Sequence, residues 1–182
     1  MFILLTLVLF TGCKADHGEL DRAMTLRAKL LGTTECTYDA VVTADYGDEI
    51  YTFRMECVAS GDGDVTFKVT EPESIAGITG TLTGSGGKLT FDDQALAFDM
   101  LADGQLSPIS APWVFLKTLR GGYVTSCGTD GDEIRVSIDD SYEEDALHVD
   151  IWLDPQDAPI RAEFIYDDRR IISLDIENFR IL

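Results

Sequence analysis

Basic residues are scarce in this chain: 14 Lys and Arg stand against 33 Asp and Glu over 182 residues, a formal charge of −19. That balance excludes nucleic acid as a partner and sets the average surface against anionic lipid headgroups, because phosphate binding needs a basic patch. Histidine is limited to two residues, His17 and His148. Neither stands near a serine motif, a second His at ligand spacing or a Cys-x-x-Cys pair, which removes the common hydrolase, metal and redox signatures. Long apolar runs are missing as well. The one such stretch, Phe2 to Phe10, falls far short of the ~20 residues a membrane-spanning helix needs. Glycine-rich pieces such as "GSGGK", residues 84–88, lack the strand-then-helix context of a phosphate loop.

What is present describes one globular domain: 45% apolar and 26% charged residues, with no internal repeats, low-complexity segments or interdomain linkers. The run Phe2–Phe10 has the length of a signal-peptide core, and the sequence turns polar directly after it. Its end, Leu9-Phe10-Thr11-Gly12-Cys13, resembles a bacterial lipobox, in which the chain is cut before a cysteine that receives diacylglycerol. The expected organisation is a lipoprotein signal peptide over residues 1–12, a lipid-modified Cys13 opening a short tether over 13–19, and a folded domain over 20–182. A buried N-terminal strand that ends in cysteine is the alternative.

Four cysteines pair in several ways, and one hairpin narrows them. In "CTYDAVVTADYGDEIYTFRMEC", residues 36–57, two alternating runs flank Tyr46-Gly47, a tight-turn signal. With the turn centred there, paired residue numbers total 93 and Cys36 lies opposite Cys57. Tyr38 then faces Met55, Ala40 faces Phe53 and Val42 faces Tyr51 on one side, and Asp39 meets Arg54 on the other. A Cys36–Cys57 disulfide is expected in an exported protein, with two buried free thiols as the alternative. Cys127 is left over beside Asp130, Asp132 and Glu133, acids that oppose a reactive thiolate.

Elsewhere the pattern is short alternating strands with turn signals about every ten residues, as in an antiparallel sheet. Two amphipathic helices interrupt it. Residues 20–32 carry Leu20, Met24, Leu26, Leu30 and Leu31 at helical spacing before Gly32. The second helix, "SAPWVFLKTLRGG", begins with Pro112 in its first turn and ends at Gly121-Gly122, with Trp113, Phe115, Leu116 and Leu119 on its apolar side. In "LHVDIWL", Leu147, Val149, Ile151 and Leu153 point one way, and His148, Asp150 and Trp152 the other.

The acidic run "DDSYEED", residues 139–145, is the best candidate for a hard cation but lacks the alternating ligands and central Gly of a calcium loop. No catalytic set and no cofactor motif emerges, so binding is expected rather than catalysis. The strands gather large apolar side chains on one face, including Phe53, Met55, Phe67 and Phe98. Such a face must be covered by curling, by helices or by a ligand.

The order of elements carries a resemblance. Residues 67–80 read "FKVTEPESIAGITG", 86–98 read "GGKLTFDDQALAF", and 108–122 read "PISAPWVFLKTLRGG". With the turn Val69-x-x-Pro72, the segment Leu89-x-Phe91-Asp92 and the helix at Trp113, residues 20–182 resemble the LolA/LolB-like lipoprotein carriers, among them the GerS-type germination lipoproteins. The resemblance implies an α+β, mainly antiparallel fold: an incomplete half β-barrel curled around an N-terminal and a mid-chain helix. It also implies an apolar cavity, lined here by Phe53, Met55, Phe67, Phe98 and Trp113, that takes an acyl lipid. The expected setting is the extracytoplasmic side of the cell membrane, through a lipid on Cys13. A scaffold or chaperone for an exported protein partner, as the GerS likeness implies, is the competing expectation. A hydrolase built on unassigned carboxylates is a weaker third.

Overall fold

The computed structural model describes residues 18–91, 94–98, 101–102, 105–143 and 146–182. Cys13, the apolar run before it and Met100 lie outside these residues.

The first helix, α1 (Gly18–Gly32), starts two residues earlier than the sequence pattern predicts. Glu19 and Asp21 occupy its first turn and Lys29 its last, which suits the helix dipole. Ala23, Leu26 and Leu30 form its buried stripe. There follow β1 (Glu35–Asp45), β2 (Ile50–Ser60), β3 (Val65–Glu71), β4 (Thr79–Thr83), β5 (Gly86–Phe91) and β6 (Gln94–Phe98). The short pair β7 (Leu101–Ala102) and β8 (Gln105–Leu106) forms its own two-stranded sheet. A 3-10 turn at Pro108–Ser110 leads into α2 (Ala111–Gly121). The chain closes with β9 (Tyr123–Asp130), β10 (Glu133–Asp139), β11 (His148–Leu153), β12 (Pro159–Tyr166) and β13 (Arg169–Ile181).

Eleven strands build one antiparallel sheet in the order β6-β5-β4-β3-β2-β1-β13-β12-β11-β10-β9. Its edges, β6 and β9, do not pair with each other, so the sheet is an open half-barrel with the helices packed on its inner side. Alternation decides which side chains turn inward. Tyr38, Ala40, Val42 and Ala44 of β1 are all buried, as are Ile134, Val136 and Ile138 of β10. Tyr38 pins α2 to the sheet: its hydroxyl donates to the Pro112 carbonyl at 2.8 Å, and its ring meets Phe115 edge-on at 5.8 Å. Gly122 caps α2, its N–H donating to the Thr118 carbonyl at 2.8 Å, and glycine is required there because a Cβ would stand 2.5 Å from Ile138 Cγ2.

The first hairpin differs from the expected register. Asp45 pairs with Ile50, and residues 46–49 form a four-residue loop, so paired numbers total 95 instead of 93. The cause is local: Asp45 Oδ1 accepts the Gly47 N–H at 2.8 Å, Gly47 takes φ +89°, and the Tyr46 N–H reaches the Glu49 carbonyl at 3.0 Å. An Asx-type turn of this kind widens the loop. A slip of two keeps every side chain on its expected face but changes each partner.

Cys57 therefore faces Tyr38, and Cys36 faces Ala59. Both thiols are free, against the expected disulfide. Diagonal neighbours on one face sit about 7–8 Å apart, beyond the ~4.4–6.8 Å usual for bridged cysteines. The expected Asp39–Arg54 pair is likewise replaced. Arg54 bonds Glu177 of β13 at 2.8 Å, and Asp39 accepts from Asn178 at 2.7 Å.

Candidate functional site

Register across the sheet aligns inner residues into rows. One row runs Tyr38–Cys57–Phe67–Gly80–Leu89–Leu96, from β1 to β6. The next runs Cys36–Ala59–Val65–Leu82–Gly87–Phe98. The β1–β4 part of these rows is sealed: Met55, Cys57, Ala59, Val65, Phe67 and Leu82 are all buried. Phe67 owes its flat placement to Gly80, where any Cβ would meet its ring.

Towards the β1–β2 hairpin and the β6 edge the inner face is not sealed. Tyr51, opposite Ala44, is 50% exposed, and Phe53, opposite Val42, is half-buried. On β5, Leu89 is half-buried and Phe91 is exposed, and on β6 Leu96 is 64% exposed. Large apolar side chains on the inner face of a curved sheet, with a packed floor beside them, make a surface suited to an apolar ligand.

The five lining residues expected from sequence are thus divided. Phe53 reaches the open part. Met55 and Phe67 belong to the sealed floor, and Phe98 has its place by register in the row of Leu82 and Gly87. Trp113 is elsewhere: half-buried and packed against the core, it stands beside Lys117 and Arg120 on α2. There it lines a cleft of about 280 Å³ with Leu31, Lys117 and Arg120. Leu89 and Leu96 were not named as lining residues from sequence. Alternation in "ALAF" carries the signal, since Leu96 must share its face with Phe98.

A polar cluster on the outer face also escaped the sequence reading. Asp150, 1% exposed, accepts from Ser137 Oγ and from Arg135 Nη2, each at 2.6 Å. His148 bridges Asp139 at 2.6 Å and Asp150 at 3.3 Å. Trp152 donates to Asp130 at 2.8 Å while the Arg161 guanidinium lies 4.1 Å from its ring. Burial pushes the Asp150 carboxyl upward, but hydrogen bonds from Arg135 and Ser137 and the charges of Arg135 and His148 outweigh it, leaving the group below its ordinary value. Apart from Arg161 Nε, which is buried without a hydrogen-bond partner, the polar side chains named here engage one another, so the cluster staples β9 to β12.

The remaining chemistry is equally quiet. Burial pushes the Cys36 thiol up to about 11, and raises Cys57 and Cys127 as well, so none is a ready thiolate at neutral pH. Among the described residues no three His, Cys, Asp or Glu side chains gather as a metal site. In the acidic run, Asp139 is held by His148 and Asp140 accepts the Leu147 N–H at 2.9 Å; residues 144 and 145 lie outside the described ones. No described helix is long and apolar enough to cross a membrane.

No family model matches the chain, and no curated protein matches it in sequence. Solved structures do match in fold. A domain described as outer-membrane lipoprotein-sorting, from Vibrio parahaemolyticus, is 10% identical over 91% of this chain and 92% of its own, with a TM-score of 0.50. A LolA superfamily protein from Nitrosomonas europaea is 13% identical over 88% of this chain and 93% of its own, with a TM-score of 0.46. The Mycobacterium tuberculosis lipoprotein LppX is 12% identical over 91% of this chain and 96% of its own, with a TM-score of 0.45. The chain shares its fold with the Vibrio parahaemolyticus domain.

Proposed function

We propose that this chain is an extracytoplasmic lipoprotein, anchored through a lipid on Cys13, that binds an acyl chain on the open part of its inner face. One observation carries the reading: Tyr51, Phe91 and Leu96 stand exposed on the same inner face as the buried Met55, Cys57, Phe67 and Leu82. Leaving such side chains wet is unfavourable at roughly 25 cal/mol per Å² of apolar area, and a lipid tail covers them without needing polar partners. The fold shared with the lipoprotein-sorting domain supports the reading, as do the raised thiols and the engaged His148, which favour binding over catalysis. Native mass spectrometry of the mature domain tests it. Co-purifying acyl lipid, or uptake of a fluorescent fatty acid, is the expected result; a lipid-free protein that takes up none overturns it.

A scaffold for an exported protein is the second reading, and the sealed floor favours it. With Met55 and Phe67 buried in the floor, the open strip suits an extended apolar segment of a partner as well as a tail. Cross-linking from a cysteine placed at Leu96 separates the two, yielding a protein adduct for the scaffold and a lipid adduct for the carrier.

A further inference from the structure

Charge is segregated in this fold. Helices α1 and α2 hold Arg22, Arg27, Lys29, Lys117 and Arg120 against only Glu19 and Asp21. The pair carries +3 within a chain of −19, so the rest of the protein carries −22. The whole-chain total, which sets the average surface against anionic headgroups, conceals this basic layer.

The same layer exposes apolar side chains. On α1, Leu20, Met24 and Leu31 are 37%, 43% and 58% exposed. At 3.6 residues per turn, these positions fall within about 40° of one another, apart from the buried stripe of Ala23, Leu26 and Leu30. On α2 the exposed Lys117 is flanked by the half-buried Trp113 and Arg120, and Lys117 Nζ lies 5.5 Å from the Trp113 ring, which packs its other side against the core. The two faces form one surface. Arg27 Nε donates to the Leu119 carbonyl at 2.8 Å across the helices, and Leu31 shares the Trp113 cleft, whose other wall holds Asp62 and Asp64. Arg22 is engaged with Asp157. Neither Lys117 nor Arg120 forms an ion pair with a described carboxylate; Arg120 donates to the Ser60 and Gly61 carbonyls.

We infer that this exposed face of α1 and α2 docks on an anionic phospholipid bilayer. Aliphatic side chains enter the boundary of headgroups and tails, while tryptophan and cations sit at headgroup level. Lys and Arg near an anionic surface add attraction that fades within a Debye length. The position along the chain agrees. The described part of α1 begins at Gly18, five residues after Cys13, so the two are at most about 17 Å apart. The orientation rests on the anchor proposed above, which keeps this face, and not the acidic strands, beside the membrane; the binding surface itself needs no anchor.

Residues 13–182 carrying Cys13→Ser contain every described element and cannot be lipidated. In flotation assays they bind vesicles of phosphatidylcholine mixed with phosphatidylglycerol, do not bind phosphatidylcholine alone, and are released by added salt. Lys117→Glu lowers the partition about tenfold, and Met24→Ser and Leu31→Ser each weaken it with the thermal midpoint unchanged. Lys68→Glu, the same charge change on the outer face, leaves binding as it was. Equal binding to both vesicle types, or equal effects of Lys68→Glu and Lys117→Glu, overturns the inference. So does vesicle-inert protein whose Lys117→Glu form loses a cellular cross-link to an acidic protein, which assigns the face to that partner. Metabolic labelling of the full chain with a radioactive fatty acid reads the anchor separately; lost labelling removes the anchor and leaves the vesicle result standing.

Discussion

The ring of Phe67 lies across the backbone of Gly80, so that a Cβ at position 80 would stand 2.5 Å from its Cζ. The same Cβ would stand 2.5 Å from the Lys88 carbonyl oxygen. Glycine here is a packing requirement, and it allows a large aromatic to close the floor of the inner face between β3 and β4.

Gly80→Ala therefore destabilises the domain by about 1–3 kcal/mol, the usual cost of overpacking a core. In thermal unfolding this lowers the midpoint by about 2–4 °C per kcal/mol for a domain of this size. Gly84→Ala, where a Cβ meets nothing within 4 Å, leaves the midpoint nearly unchanged. Adding Phe67→Leu to Gly80→Ala recovers part of the ring clash, and a double-mutant cycle measures how much. Equal midpoints for the two single alanine variants would remove the Phe67–Gly80 contact from the account.

Thiol titration reads the hairpin register. With Cys57 opposite Tyr38 and Cys36 opposite Ala59, denatured, unreduced residues 14–182 release three reactive thiols: Cys36, Cys57 and Cys127. A count of one would mean that Cys36 and Cys57 are bridged. In the folded protein Cys36 and Cys57 resist alkylation at neutral pH, since both are buried and their thiols are held protonated.

Asp150 sets an acid limit. Its carboxyl lies below its ordinary value in the folded protein, so its contribution is fully present above the unfolded pKa and is lost as pH falls through the folded one. Urea midpoints for the wild type fall on acidification, and Asp150→Asn falls less over the same window. At neutral pH the asparagine variant is less stable by about 1–3 kcal/mol, because Ser137 and Arg135 lose a charged acceptor. Parallel pH profiles for the two proteins would sink this assignment.

Leu96→Asp separates binding from folding. Leu96 is 64% exposed, so the substitution changes stability by no more than about 0.5 kcal/mol. Burial of a leucine side chain against a ligand is worth roughly 1.5–3 kcal/mol, which makes fatty-acid uptake about tenfold to a hundredfold weaker. Uptake that is unchanged in Leu96→Asp places the ligand off the open inner face.

Much of the architecture could be read from short-range pattern. Period-two alternation placed Tyr38, Ala40, Val42, Phe53 and Met55 on one face, and that assignment survives the slip of the hairpin by two. Pro112 and the glycines at 121 and 122 marked the second helix. The slip was not legible, because it depends on one side chain, Asp45, choosing the Gly47 N–H. Trp113, expected on the apolar side of α2, does pack against the core but remains half-buried. Its neighbours at helical spacing, Lys117 and Arg120, mark the outward face.

Alternation, helix periodicity and turn chemistry act over a few residues, so the sequence by itself determined an antiparallel sheet with one apolar face and two amphipathic helices; the half-open barrel was implied only by the resemblance to the LolA/LolB-like carriers. Which part of that face is sealed and which is open is a matter of long-range packing. Only the tertiary structure decided this, with Phe67 under cover on Gly80 and Leu96 left in solvent. The fold also set two helices with a net charge of +3 on an otherwise acidic protein, because a total charge holds no information about where its members meet.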